Sequence, residues 1–486
     1  MSKTNWQYYF ARKFSAHRYE VVMSISFSSF YQKHFQVKLK NILVVPAGKN
    51  HAIYFDQAEW PAAQQKIYQV VCQNWRSFQK YQRLIQWAQN EFFMGTRKIF
   101  RQVSDQASNK SLLSLHQLAV KLNHKFFQRS IWIPFVIEPF LAVAAEEEIK
   151  KLASGDEEKF KKIFNFVFSP EEKNAITRER ESLLKVADLV QKGGAKEKLL
   201  QKHCQNFRWI PCYDPGDEPW EIDYFRQELN KIIDSSTAPT EELKKLRDNF
   251  FQRRSEFDKF LLLTKLTRRQ NNLLRMAHAL CFIKDQRDDF RRLGSFYLQS
   301  LYQEIGRRAG LDLKEVVNLL NDEIEEFLVI GQLPDMREIR QRQDGYVLWR
   351  QNDHEIKIFS GRRAHKIVEQ ELSSQADKKA SELKGIIGNQ GRASGSVQIV
   401  ISKHDLRKVK PGDVMVAITT HPDFVPAMRR AVAIVTDEGG ITSHAAIVSR
   451  EINIPCLVGT KEATRAFRDG QEVEVDADQG IVRKLT

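Results

Sequence analysis

The chain has 486 residues, 42% of them hydrophobic and 28% charged, the make-up of a soluble globular protein with roughly two to four domains. Its net charge of +15 favours anionic partners without choosing among phosphorylated ligands, nucleic acid and acidic proteins. The opening MSKTNWQYYFARKF lacks the apolar core of a secretory leader. The most apolar stretch, 131–145, contains Pro134, Glu138 and Pro139 and falls short of the roughly 20 residues of a membrane span, so a cytoplasmic protein with no membrane partner is expected.

Cys72, Cys204, Cys212, Cys281 and Cys456 form no CxxC pair and read as reduced thiols. His203, Cys204 and Cys212 lie close in sequence, but their spacing fits no metal knuckle, and no metal site is expected.

A hairpin opens the pattern, with 37–45 and 51–55 as strands around Pro-Ala-Gly-Lys-Asn. The Trp6, Tyr8, Tyr9 and Phe10 run before it reads as packing rather than a stacking platform. Helical periodicity follows over 62–90, 112–127, 139–152, 170–191, 220–233 and 240–285. A further helix over 289–309 is predicted to stop at Gly310. The run 316–328 is apolar and periodic. A second short hairpin is predicted at 346–350 and 356–359, then a polar helix over 362–383. The arginine pairs at 253–254, 268–269, 291–292 and 307–308 read as solvated helix faces beside acidic neighbours.

Composition changes near residue 385. Ten of the 22 glycines fall between Gly385 and the end. There 13 Lys and Arg meet 12 Asp and Glu, so nearly all the net charge belongs to the first 384 residues. Short Val/Ile runs at 397–401, 414–418 and 431–435 read as strands, and 472–475 with 481–485 as a closing hairpin. The expected fold class is multidomain α+β. Residues 1–384 form a mainly helical region with short hairpins and room for two subdomains. Residues 385–486 form a separate sheet domain.

The chemistry sits in Thr436-Asp-Glu-Gly-Gly-Ile-Thr-Ser-His-Ala-Ala-Ile-Val-Ser-Arg450. A buried strand ends at Thr436. Gly439 and Gly440 permit a tight turn, Thr442 or Ser443 caps a helix, and His444 falls in its first turn. A helix N-terminus offers unpaired amides and partial positive charge, which suit a phosphoryl group. A neutral imidazole is a competent nucleophile near pH 7. A lone histidine at a helix start more often caps or packs; here the Gly-Gly turn, the Thr-Ser pair and small following residues weigh against that. A hydrolytic pair of Ser443 and His444 is disfavoured, since adjacent helical residues do not face each other.

This segment closely resembles the histidine block of the mobile, swivelling domain of phosphoenolpyruvate-utilising enzymes, a family that includes phosphoenolpyruvate synthase, pyruvate phosphate dikinase and the rifampin phosphotransferases. The blocks 388–395, 410–414, 419–426 and 454–460 resemble the rest of that domain, with Cys456 where Ala is more usual. The resemblance implies a β/β/α phosphohistidine fold over 385–486. It implies His444 as the phosphorylated, catalytic residue, with Gly439, Gly440, Thr442 and Ser443 as the phosphate-supporting loop. It also marks Thr442 as a regulatory phosphorylation site, as in some members; a phosphate there would set like charge beside the phosphohistidine.

The family pairs this domain with an ATP-grasp domain and with a barrel or other acceptor domain. Residues 1–384 contain no P-loop and no recognisable ATP-grasp pattern. The sequence stops at Thr486 as the carrier fold closes, so no barrel is expected to follow. No cofactor site is identifiable in cis; the resemblance implies ATP or phosphoenolpyruvate with Mg²⁺, held by an ATP-grasp or phosphoenolpyruvate-binding partner. Residues 287–346 resemble the helical approach to the swivel, which implies an acceptor- or partner-binding role; the small-molecule acceptor is not identifiable. The expected function is a phosphotransferase component, an enzyme acting with a partner subunit. The alternatives are a complete kinase with an unrecognised nucleotide site and a non-catalytic regulatory protein that keeps the carrier fold. Nucleic acid has only the basic charge of the N-terminal part behind it and is not expected.

Overall fold

The computed structural model describes residues 4–47, 50–168, 172–235, 237–352, 354–376, 382–401, 403–420, 424–440 and 443–485, without the side chains of 27, 249–254, 373–376, 403–404, 447 and 451. Thr442 therefore lies outside the described residues. So do Gly48 and Lys49 of the first hairpin turn, Pro170 and Glu171 of an expected helix, His421 to Asp423 of a middle block, and the side chains of Arg253 and Arg254.

Three strands come early: β1 (Trp6–Arg12), β2 (Ile42–Ala47) and β3 (Asn50–Asp56). β4 (Tyr346–Arg350) and β5 (Lys357–Ser360) form the second hairpin as expected. The tail supplies β6 (Glu382–Lys384), β7 (Ile386–Asn389), β8 (Arg392–Val400), β9 (Val414–Ala417), β10 (Ala433–Thr436), β11 (Cys456–Val458), β12 (Glu472–Asp476) and β13 (Ile481–Lys484).

The chain forms two compact units, and their division differs from a single cut at residue 385. One unit joins residues 1–13 and 43–58 to 362–486; the other holds 14–42 and 59–361. The physical reason is non-local pairing. β1 was not read as a strand, yet its residues pair antiparallel with β3 from Trp6↔Asp56 to Arg12↔His51. Side chains of these strands also bond residues beyond 361: Trp6 Nε1 donates to Glu371 at 2.9 Å and Arg465 donates to the Tyr54 hydroxyl at 3.1 Å. Trp6 and Phe10 are buried, as their packing role required.

In this first unit the tail forms an eight-stranded sheet in the order β6-β13-β12-β8-β9-β10-β11-β7. β8, β9, β10 and β11 run parallel, and the flanking strands pair antiparallel. Because β9 and β10 are buried runs of Val, Met, Ala and Ile, both faces of the sheet are covered. One core contains Met415, Ile434, Ala445, Ala446 and Cys456; the other contains Val414, Val435, Leu457, Phe467 and Val473.

The second unit is mainly helical. The expected helix over 62–90 is two helices, Trp60–Val71 and Trp75–Gln102, because Asn74 accepts from the Ser77 amide and caps a new start. The expected break near 285–289 does not occur. A capping box at Thr267 and Gln270 starts one 42-residue helix, Arg268–Ala309, which ends at Gly310 with φ +69°. Gly294 lets that helix approach Trp75–Gln102 closely: a Cβ there would lie 2.1 Å from Phe92.

Pro134 and Pro139 do not stop the helix over 131–145 either. A π turn at Phe127–Ile131 leads into Trp132–Ala153. The combined run Asn109–Ala153 is the one helix, among the described residues, long and apolar enough to cross a membrane by length and composition. More than half of its most apolar window is buried inside the structure, as for a core helix. Arg291 and Arg292 do not form a solvated face. Both guanidinium groups stack on Tyr213, 4.5 and 4.2 Å from the ring centre. Arg307 and Arg308 instead pair with Glu304.

Candidate phosphohistidine site

The loop that carries His444 begins where β10 runs out. β9 and β10 lie side by side in parallel register, Thr436 opposite Ala417. The segments that follow them therefore leave the same carboxyl edge of the sheet, where ligands of open α/β sheets gather. Backbone bonds lock the two exits together: Asp437 N–H donates to Ala417 at 3.0 Å and Glu438 N–H to Ile418 at 2.9 Å.

Gly439 then turns the chain with φ +114°. A side chain there would strike Ser443, whose Cβ would lie 2.8 Å away. Gly440 has open space around it, and its carbonyl accepts from the Ser443 amide at 2.9 Å. The two glycines thus do different work: Gly439 supplies the backbone angle and the close approach, Gly440 a hydrogen-bonded turn. Ser443 is the N-cap of the helix His444–Ile452, and its hydroxyl accepts from the Ala446 amide.

His444 is the first residue of that helix and is partly exposed. Its Nδ1 lies 2.8 Å from the buried Thr420 hydroxyl. Thr420 follows β9, so the parallel pairing of β9 and β10 brings the two residues together. Thr420 lies in the block 419–426, and its partnership with His444 depends on strand adjacency across 24 residues. Ala445 and Ala446 are the small residues that follow the histidine. They are buried in the core and anchor the helix to the sheet.

Further bonds brace the start of the loop. Thr460 donates to the Thr436 carbonyl through its amide at 3.0 Å and its hydroxyl at 2.9 Å, and the Lys461 amide donates to Asp437 at 2.8 Å. Burial pushes the Asp437 carboxyl up to about 6, against hydrogen bonds from Thr464 that favour its charged form.

Residues 409–480 match the family described as PEP-utilising enzyme, mobile domain. The tail of this chain is thus similar to the mobile domain of the phosphoenolpyruvate-utilising enzymes. The chain is 44% identical over 170 residues to a probable phosphoenolpyruvate synthase of Archaeoglobus fulgidus, covering 34% of this chain and 22% of that protein. Likeness to the phosphoenolpyruvate synthase of Pyrococcus furiosus is 38% over 194 residues, covering 37% and 24%. A probable phosphoenolpyruvate synthase of Pyrococcus abyssi is 54% identical over 102 residues, 21% of this chain and 12% of that one. The chain thus spans less than a quarter of the length of these relatives.

The helical unit has a separate feature of ligand size. A cavity of about 560 Å³ is lined by Phe100, Arg208, Asp217, Phe296, Gln299 and Lys314, among others. Most of its lining is charged or polar, with Phe100 and Phe296 as the aromatic members.

Proposed function

We propose that this chain is a phosphotransferase component in which His444 carries a phosphoryl group between a donor and an acceptor. The observation that carries this reading is the Thr420–His444 contact at a capped helix N-terminus. When Nδ1–H donates to the Thr420 hydroxyl, the ring's lone pair is on Nε2, and Nε2 is the nucleophile. The Nε2–P bond forms as the P–O bond to the donor's leaving group breaks. The ring becomes cationic, and Thr420 continues to accept from Nδ1–H. The amides at the start of the helix and its dipole favour the transferred group's negative charge. Gly439, Gly440 and Ser443 hold the loop in that geometry; Thr442 is proposed as a regulatory phosphosite.

The donor is ATP or phosphoenolpyruvate with Mg²⁺, held by a partner protein. The helical unit, with its 560 Å³ cavity, is proposed to hold the acceptor or that partner. The relatives' names support the reaction class, and the domain match supports the carrier role. Incubation with radiolabelled ATP or phosphoenolpyruvate, Mg²⁺ and lysate from the source should give acid-labile label that His444→Ala abolishes. Label that survives this substitution would sink the reading. Labelling of the pure chain by ATP alone would instead favour a self-contained kinase.

A further inference from the structure

The N-terminal strand meets the histidine loop at one carboxylate. Glu438 lies two residues beyond β10, and its side chain is 8% exposed. One oxygen accepts from the Ala11 amide at 2.7 Å and from the Tyr8 hydroxyl at 3.2 Å. The other forms an ion pair with the Arg12 guanidinium. All three donors belong to β1, more than 420 residues away in sequence.

The strand is shaped for this contact. The register between β1 and β3 shifts between Tyr8 and Phe10. Such a bulge re-aims the groups beyond it, and just beyond it the Ala11 amide donates to Glu438. Burial and the Glu438 charge push the Tyr8 phenol upward, so it stays a donor. Arg465 stacks 5.1 Å over the Tyr8 ring and closes the cluster.

Glu438 is also a backbone node. Its amide donates to Ile418 at 2.9 Å, two residues before Thr420. Its carbonyl accepts from the Thr436 hydroxyl at 2.7 Å. The next residue is Gly439, where the chain turns toward His444. The peptide that β1 grips is therefore tied to the segment leading to Thr420 and begins the segment leading to His444.

We infer that Glu438, gripped by Arg12, Tyr8 and Ala11, is a positioning residue for His444: the grip of β1 sets the Thr420–His444 contact that presents the imidazole. The inference rests on the carrier role of His444 proposed above. It makes the first residues of the chain part of the phosphoryl-transfer machinery, without contact to the transferred group.

The test uses the full chain with phosphoramidate, a chemical donor that needs no partner. The Nε2–P bond forms as the donor's P–N bond breaks and ammonia leaves. Labelling is followed by intact mass and ³¹P NMR, and the His444 tautomer by imidazole ¹⁵N NMR. Glu438→Gln and Arg12→Met are expected to label roughly ten- to a hundredfold more slowly and to shift the His444 spectrum away from the Nδ1–H form. Arg12→Lys keeps the charge and is expected to restore much of both. Thermal midpoints report folding. Folded variants with wild-type rates and spectra would overturn the inference. So would slower labelling with an unchanged spectrum and no rescue by lysine, which marks a merely structural ion pair. If the wild type labels no better than His444→Ala, the carrier reading fails on its own; the NMR arm still decides whether β1 sets the Thr420–His444 contact.

Discussion

The Thr420 hydroxyl lies 2.8 Å from His444 Nδ1, and the direction of that hydrogen bond decides which imidazole nitrogen can attack. A hydroxyl both donates and accepts, so the contact alone permits either tautomer. The nucleophilic role proposed for Nε2 requires Thr420 to accept. Thr420→Val preserves shape but removes the acceptor, and loss of a tautomer-fixing partner is costly even when geometry survives. Phosphoramidate labelling of His444 should fall about tenfold or more, with part of the remaining phosphate on Nδ1 in the ³¹P spectrum. An unchanged rate and site would show that Thr420 does not fix the ring.

The two loop glycines should respond differently to the same change. At Gly439 an alanine meets φ +114° and a Ser443 Cβ at 2.8 Å. Backbone strain of this kind costs roughly 1–3 kcal/mol, and relief would move Ser443, the cap next to His444. At Gly440 nothing lies within 4 Å of an added Cβ. Denaturant titration should show Gly439→Ala destabilised by roughly 1–3 kcal/mol with slower labelling, and Gly440→Ala within about 0.5 kcal/mol of wild type. Equal effects would mean that the turn does not depend on the left-handed angle.

These two residues mark what the sequence could reveal. The Gly-Gly turn, the cap and His444 are local, each within a few residues of the next, and local steric rules expose them. Gly310 was readable as a helix stop for the same reason. Thr420 was not, because its role arises from the parallel pairing of β9 with β10. β1 was missed because its partner, β3, lies some forty residues on and its aromatic run lacks clean alternation. Arg291 and Arg292 have acidic neighbours in sequence, which suggested a solvated face. Tertiary packing on Tyr213 turned them inward. The start of the long helix at Arg268 was hidden because helical periodicity continues on both sides of the Thr267 cap.

Gly294 offers a test of packing in the helical unit. Alanine in mid-helix gains about 1 kcal/mol of propensity over glycine. Here its Cβ would fall 2.1 Å from Phe92, a buried ring stacked on Phe126 at 4.4 Å. Overpacking of a dense core typically costs about 1–3 kcal/mol, and a 2.1 Å overlap with an immobilised ring belongs at the upper end. Gly294→Ala should therefore be destabilised by roughly 1–2 kcal/mol net in chemical denaturation. Phe92→Leu in the same chain should recover part of this loss, a coupling that a double-mutant cycle reads directly. Simple additivity would show that the two helices do not meet through this pair.

His17 and His116 give the helical unit an acid-sensitive core. Their rings are fully buried 6.1 Å apart, and His17 Nε2 bonds the Tyr302 hydroxyl at 2.6 Å. Burial holds His17 well below its usual range, and burial pushes His116 down to about 4. An unfolded histidine titrates near 6.5. Between these values the unfolded chain binds protons that the folded chain refuses. The pair's contribution is therefore fully present above pH 6.5 and is lost as pH falls toward about 4. Burial acts in the opposite sense on Glu20 and Asp289, both pushed up to about 7. Their carboxyls favour folding below their unfolded values and lose that contribution as pH rises through 7, so the wild-type profile alone mixes both signs. His116→Phe isolates one term. The difference in unfolding free energy between wild type and His116→Phe should be constant above pH 7 and shift against the wild type by about 3 kcal/mol on going to pH 4. A difference that stays flat across that range would mean that His116 is not held neutral by burial.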